Sequence, residues 1–140
     1  MKQEKKKNNV FLVGPSFVQI QDKDGNETSL VDGVPRRFLC RSSTSNPRAI
    51  LMWKLDNETI FPDIDSIEDS GDYGGKISQS TKTLGVNKSL RTYHKKILSC
   101  QARNSRTGET TIDSTLLNVI CSYFDRLFCK VLLFLIHSGF

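Results

Sequence analysis

The chain has 140 residues, a length that fits a single domain. Hydrophobic residues make up 37% of it and charged residues 25%, which excludes a disordered chain and allows one hydrophobic core. The formal net charge is +5, but Lys2, Lys5, Lys6 and Lys7 supply much of that excess in one short run. Because the other basic residues do not gather on one predicted element, nucleic-acid binding is not expected.

Residues 1–14 are predicted to form a basic, disordered N-terminal arm. Residues 10–13 are apolar and follow the lysines, but a secretory signal needs an apolar region of about 7 to 15 residues and a small-residue cleavage site. No signal peptide is therefore predicted. We interpret the chain as a fragment, an unusual splice form or an incomplete gene model of an exported protein.

From residue 16 onward, short apolar segments alternate with turn signals, a pattern typical of an all-β sandwich. The first strand is predicted around Phe17, Val18 and Ile20, and the turn residues 24–26 end it. Two further strands are predicted at residues 37–42 and 49–55. Side chains of a strand alternate between its faces, so each strand has one inward set. The inward residues predicted here are Phe38, Cys40, Ala49, Leu51, Trp53 and Leu55.

The second half of the domain is predicted to contain a loop and then three more strands. Residues 63–75 are acidic, contain glycine and show no apolar alternation, so we predict a loop whose charges are solvated and bind no metal. The inward residues of the later strands are predicted to be Leu84, Val86, Leu98, Cys100, Ala102, Leu117 and Val119. Of all these positions, the predicted central core is Trp53, Phe38, Leu51, Leu98, Leu117 and Val119.

Residues 121–140 have a different sequence pattern, since apolar residues are mixed with charged ones and do not alternate with them. Their longest uninterrupted apolar run is residues 131–136, whereas a membrane-spanning helix needs about 20 mostly apolar residues. A cut-off anchor, translated intron sequence and an amphipathic helix over a sheet remain open for this tail. The roles of Cys121 and Cys129 are left open with it.

Cys40 and Cys100 lie in alternating apolar segments that point them toward a core, so we predict a disulfide between them. No Cys-x-x-Cys pair is present, and His94 and His137 have no ligand-like spacing, so no metal site is predicted. Trp53 lies on the strand that follows Cys40, and Cys100 is about sixty positions beyond Cys40. This spacing suggests that the three residues pack together. The bridge would connect two sheets, and Trp53 would fill the space beside it.

Around these three residues the sequence resembles the C2-type immunoglobulin domains of nephrin-like and irregular-chiasm-like adhesion molecules and of the Sidestep guidance receptors. Residues 46–53 resemble the entry into strand C of that family, residues 98–104 its strand F and residues 117–119 the end of its strand G. The resemblance covers about residues 15–120, which we take as the immunoglobulin-like domain. It implies a two-sheet antiparallel sandwich of the C2 type.

The resemblance further implies a recognition module of an adhesion or guidance receptor, on the extracellular side of the plasma membrane. Its partners would be other immunoglobulin-superfamily proteins, homophilic or heterophilic, and the full-length parent would supply the membrane association. A secreted ligand or decoy built on the same domain is the alternative. An enzyme on a β-sandwich is less favoured, because no nucleophile context or phosphate-binding loop is present, and no catalytic residue or cofactor is predicted.

Three Asn-x-Ser/Thr triplets, at Asn26, Asn57 and Asn87, are N-glycosylation acceptors if the chain enters the secretory route. Composition alone would give about one or two such triplets, so their number is only a mild excess.

The alternation that points Trp53 and Cys100 inward points their neighbours outward, onto the sheet that contains the predicted strands C, F and G. An apolar centre with a polar, cationic rim suits a modest protein interface. The predicted partner face consists of Ile50, Met52, Lys54, Gln101, Arg103 and Leu116.

Overall fold

A computed structural model describes residues 12–71 and 73–121, and these residues form two packed β-sheets. Most of the predicted N-terminal arm, most of the tail and Cys129 therefore lie outside the described residues. Within the described part no helix is long and apolar enough to cross a membrane. The elements are β1 (Val18–Ile20), β2 (Glu27–Val31), β3 (Arg36–Ser42), β4 (Ala49–Leu55), β5 (Glu58–Ile60), β6 (Ile64–Asp69), β7 (Lys76–Leu84), a 3-10 helix (Leu90–Tyr93), β8 (Ile97–Asn104) and β9 (Thr110–Ile120).

One sheet has five strands in the order β2-β9-β8-β4-β5, and the other has four in the order β1-β3-β7-β6. All pairings are antiparallel except that of β2 with β9, which is parallel. The chain leaves the smaller sheet after β1 and crosses to the larger one through a turn at Gly25, whose φ of 126° suits glycine. Thr28 fixes this crossing, because its buried Oγ1 lies 2.8 Å from Oγ1 of Thr115.

The core lies between the two sheets and contains the predicted bridge. A disulfide joins Cys40 on β3 to Cys100 on β8, which confirms that pairing. Trp53 is fully buried, and its Nε1 donates a 2.8 Å hydrogen bond to Oγ of Ser80 on the opposite sheet. The indole therefore packs beside the bridge and also satisfies its single polar group.

The predicted inward residues mostly lie in this core. Phe38, Leu98 and Leu117 are fully buried and Val119 nearly so, whereas Leu51 is only partly buried and packs against the cluster. Leu51 is at the margin because β5 pairs with only the last three residues of β4.

Two of the predicted strand positions are wrong. Val86 is exposed, because β7 ends at Leu84 and the chain turns at Gly85, where φ is 94°. Phe17 is also exposed, because the first strand begins one residue later, at Val18. In both cases the apolar residue lies just beyond a strand end, where alternation no longer fixes its direction.

The predicted loop at residues 63–75 is wrong for residues 64–69, because β6 occupies Ile64–Asp69 and pairs with β7. All six residues of β6 are exposed, so the strand has no buried face and its sequence shows no apolar alternation. Ion pairs hold its charges against the sheet, including Glu68 with Arg41 at 3.0 Å and Asp69 with Lys76 at 3.4 Å. Charged residues on an edge strand also discourage pairing with another chain.

The end of the sandwich where β4 begins and β8 ends, called here the upper end, is organised by the buried Asn104. Its Nδ2 donates to the carbonyl oxygens of Val13 and Pro47 at 2.9 and 3.1 Å and to Oγ of Ser45 at 3.0 Å. Its Oδ1 accepts the backbone N–H groups of residues 106 and 107. One amide thus joins three loops, and Val13, predicted to lie in the arm, is hydrogen-bonded into the sandwich.

Candidate recognition face on the five-stranded sheet

The outward residues of β4, β8 and β9 form rows that run across the larger sheet. Met52 on β4 pairs with Gln101 on β8, which pairs in turn with Ile112 on β9. The next row toward the upper end contains Ile50 and Arg103. Because directly opposed residues project from the same face, these five side chains form one continuous surface.

Three exposed apolar side chains form the centre of this surface, and we call them the upper patch: Ile50, Met52 and Ile112. Their exposed fractions are 48%, 38% and 60%, respectively. Neighbouring strands lie about 4.8 Å apart, so Met52 and Ile112 are about 10 Å apart across Gln101.

Ile112 was missed in the sequence analysis, although a signal for it exists. Leu117 points inward on β9, so residues at even positions of the same strand, Ile112 among them, point outward. Polar residues surround Ile112 in sequence, and its importance appears only when β9 is placed beside β8.

Leu116 lies on the predicted face but not with the other apolar members. It pairs with Ile97 on β8, and the two exposed side chains form a second, lower patch. Leu116 is four residues from Ile112, or about 14 Å along the strand. A polar row that contains Lys54 and Ser99 separates the two patches.

Cationic side chains border the upper patch. Arg103 is exposed beside Ile50, and Lys54 is half-buried one row below Met52. Within the described residues neither cation forms an ion pair. Their charges are therefore available to carboxylates of a partner.

The outer surface of the smaller sheet has a different character. Glu68 on β6 accepts hydrogen bonds from Arg41 on β3 and from Gln79 on β7, so the charges of these strands are largely paired within the sheet. Ile64 is exposed there, but it lies at the edge of the sheet with polar residues around it.

The described residues also form a surface depression and include one titratable group with a perturbed pKa. An open depression of about 380 Å³ lies between β4 and β6, and Leu51, Ile67 and Asp65 are among its lining residues. No group of three or more His, Cys, Asp or Glu residues in the described part could hold a metal ion. Burial raises the pKa of the Tyr93 phenol, but Tyr93 does not line this depression.

The comparisons with known proteins identify the fold. The crystal structure of Rst D1-D2 has a TM-score of 0.66 and 18% identity, over 77% of this chain and 50% of that one. The full ectodomain (Ig1–Ig3) of mouse nectin-like molecule 4 has a TM-score of 0.60 and 23% identity, over 79% of this chain and 36% of that one. Bovine butyrophilin has a TM-score of 0.54 and 14% identity, over 73% of this chain and 43% of that one. No family model matches the chain, and no curated protein matches it. The chain spans half or less of these three structures, and it has the predicted immunoglobulin-like fold.

Proposed function

We propose that this chain is a protein-recognition module of a cell-surface adhesion or guidance receptor, and that it binds partners through the face centred on the upper patch. The immunoglobulin-like fold, the adhesion-type proteins it resembles in structure and the intrachain disulfide support an extracellular recognition domain. The partner we propose is another immunoglobulin-superfamily protein, either a second copy or a different one. Membrane association would come from the full-length parent.

One observation carries this proposal: three exposed apolar side chains are adjacent on one sheet, and the cations beside them form no ion pair with another described residue. Interfaces place apolar residues at the centre and polar residues at the rim, and a few central residues supply most of the binding energy. Ile50, Met52 and Ile112 occupy the central position, and Arg103 and Lys54 occupy the rim. The partner should therefore offer an apolar centre bordered by carboxylates.

The sheet by itself offers a small area for binding. The five strands are about 4.8 Å apart and have an average length of about seven residues, so the sheet covers about 19 Å by 24 Å, on the order of 450 Å². A standard interface buries about 800 Å² per partner. The sheet alone is smaller than that, so binding through it should be modest unless the loops at the upper end also contribute.

The test is a binding screen of the full chain, displayed in many copies, against a panel of immunoglobulin-superfamily ectodomains that includes the chain itself. Met52→Glu places a charge at the centre of the face and should weaken any binding by at least tenfold, about 1.4 kcal/mol. Ile64→Glu is the matched control, because Ile64 is an equally apolar, exposed residue on the other sheet.

Binding that survives Met52→Glu and is lost in Ile64→Glu would move recognition to the smaller sheet. A screen without any binder, the chain itself included, would contradict the proposed class of partner. Thermal unfolding of both variants should match the parent, which shows that the loss of binding is not a loss of folding.

A further inference from the structure

The three Asn-x-Ser/Thr triplets differ in what their hydroxyl residues do for the fold. In the Asn26 triplet, Thr28 is fully buried, contacts Thr115 and accepts a 2.9 Å hydrogen bond from the backbone N–H of Asp24. The fold requires a buried hydroxyl at this place. That triplet is therefore accounted for without any modification.

The Asn87 triplet also has a structural explanation. Its Ser89 is the N-cap of the 3-10 helix, and Oγ of Ser89 accepts a 3.3 Å hydrogen bond from the N–H of Arg91. Serine is among the preferred residues at such a position. Here again the fold accounts for the hydroxyl residue.

The Asn57 triplet has no such explanation. Leu55 pairs with Glu58, so Asp56 and Asn57 form a two-residue turn between β4 and β5. Asp56 performs the structural tasks of this turn: its φ is 54°, and its Oδ1 accepts the N–H of Ile97 at 2.9 Å. Asn57 is exposed, its φ is not positive, and its side chain bonds to no described residue.

Thr59, the hydroxyl residue of this triplet, is equally unconstrained. It is exposed, and the one side-chain hydrogen bond that it forms to a described residue is weak, from its Oγ1 to Sδ of Met52 at 3.9 Å. Elsewhere in the described chain an asparagine such as Asn104 is buried and fully hydrogen-bonded. The side chain of Asn104 therefore stabilises the fold, whereas the hydrogen bonds of the described residues give no such role to the side chains of Asn57 and Thr59.

We infer that Asn57 is an N-glycosylation site of the folded domain. In this modification Nδ2 of Asn57 forms a bond to the anomeric carbon of an oligosaccharide donated by a polyprenyl diphosphate. The anomeric C–O bond to the diphosphate breaks, the polyprenyl diphosphate leaves, and Nδ2 releases one proton. The inference rests on the proposed extracellular location but is independent of the recognition face.

The position of Asn57 gives the glycan two consequences. β5 is a three-residue edge strand, and a glycan at its turn would shield that edge from pairing with another chain. Because the chain reverses at this turn, Asn57 lies only about four residues beyond Met52 along the strand direction, or about 14 Å. The glycan would therefore lie beside the lower end of the face and leave the upper patch accessible.

The test is expression of the full chain behind an added export signal in a translation system containing microsomes, followed by peptide mapping. Only chains protected from added protease are mapped, so every chain examined has entered the compartment that contains the transferase. Cleavage by peptide N-glycosidase in heavy-oxygen water marks each modified asparagine. We expect Asn57 to be marked in the parent chain.

Three variants complete the test. Asn57→Gln and Thr59→Ala should both lose the mark at position 57, whereas Thr59→Ser keeps the acceptor motif and should retain it. An unmarked Asn57 in protected parent chains overturns the inference, as does a mark that survives Thr59→Ala. If Asn57 is marked but the binding screen fails, the recognition proposal falls and the glycosylation site stands.

Discussion

Replacing Trp53 by alanine tests whether the sandwich depends on the packing around the disulfide. Trp53 is fully buried, so the substitution removes a large apolar ring and leaves a cavity beside the bridge. Such truncations cost about 3 to 5 kcal/mol of the free energy of unfolding. The change also leaves Oγ of Ser80 without its 2.8 Å donor, which places the expected loss in the upper half of that range.

The measurement is urea unfolding of the parent and of Trp53→Ala, with the disulfide intact in both. Domains of this size have a total stability of about 5 to 15 kcal/mol, so this variant should lose a large share of its stability and unfold at a clearly lower urea concentration than the parent. Trp53→Phe keeps a ring but loses the hydrogen bond, so its free energy of unfolding should lie between those of the parent and of Trp53→Ala.

Ile50→Ala is the matched control, because Ile50 lies on the same strand but points outward. Exposed substitutions usually change stability by less than about 0.5 kcal/mol. If Trp53→Ala lost no more stability than Ile50→Ala, the alternation that separates the core of β4 from its outer face would be refuted.

Peptide mapping without reduction should link the Cys40 and Cys100 peptides, and replacing both by alanine should cost about 4 kcal/mol in denaturant unfolding, because the bridge closes a loop of 60 residues. Finding both thiols free after oxidative refolding would contradict the disulfide. Burial raises the pKa of the Tyr93 phenol above its ordinary value of 10.0, so the stability it contributes is complete below pH 10 and is lost as the pH rises through the folded-state pKa. Tyr93→Phe should therefore lose less stability than the parent on titration above pH 10, and equal losses would show that the phenol does not contribute. Asn104→Ala should lower stability by about 2 kcal/mol or more in thermal unfolding, because the buried Ser45 and two partly buried carbonyl groups lose their hydrogen bonds at once, and an unchanged melting temperature would show that the loops are held by other contacts.

The sequence predicted most of the strands that have a buried face, but it missed β2, in which Thr28 and Leu30 are buried. Around Cys40, Trp53 and Cys100, apolar residues alternate with polar ones, and alternation is the direct result of packing one side of a strand against a core. β6 could not be predicted in this way, because it has no buried side and is held by backbone pairing and ion pairs. The parallel pairing of β2 with β9 was also not predicted, since no local sequence pattern indicates which distant strand a segment pairs with.

The candidate face was predicted in part for the same reason. The outward direction of Ile50 and Met52 follows from Trp53 on the same strand, and the structure places both as expected. The grouping of residues from different strands depends instead on register. The register of β9 against β8 places Ile112 in the upper patch and Leu116 in the lower one. Neither position can be predicted from the sequence of β9 alone.

Register is therefore the physical property that creates the face. A slip of one residue would turn Met52 inward and Trp53 outward, because strand side chains alternate with a period of two. Two hydrogen bonds between Asp56 and Ile97 fix the lower end of β4 against β8, through the N–H of Asp56 at 2.8 Å and its Oδ1 at 2.9 Å. At the other end Asn104 holds β8 to the loop that enters β4. The buried core and the proposed recognition face thus share the same strands, and the contacts that fix the register keep them on opposite faces.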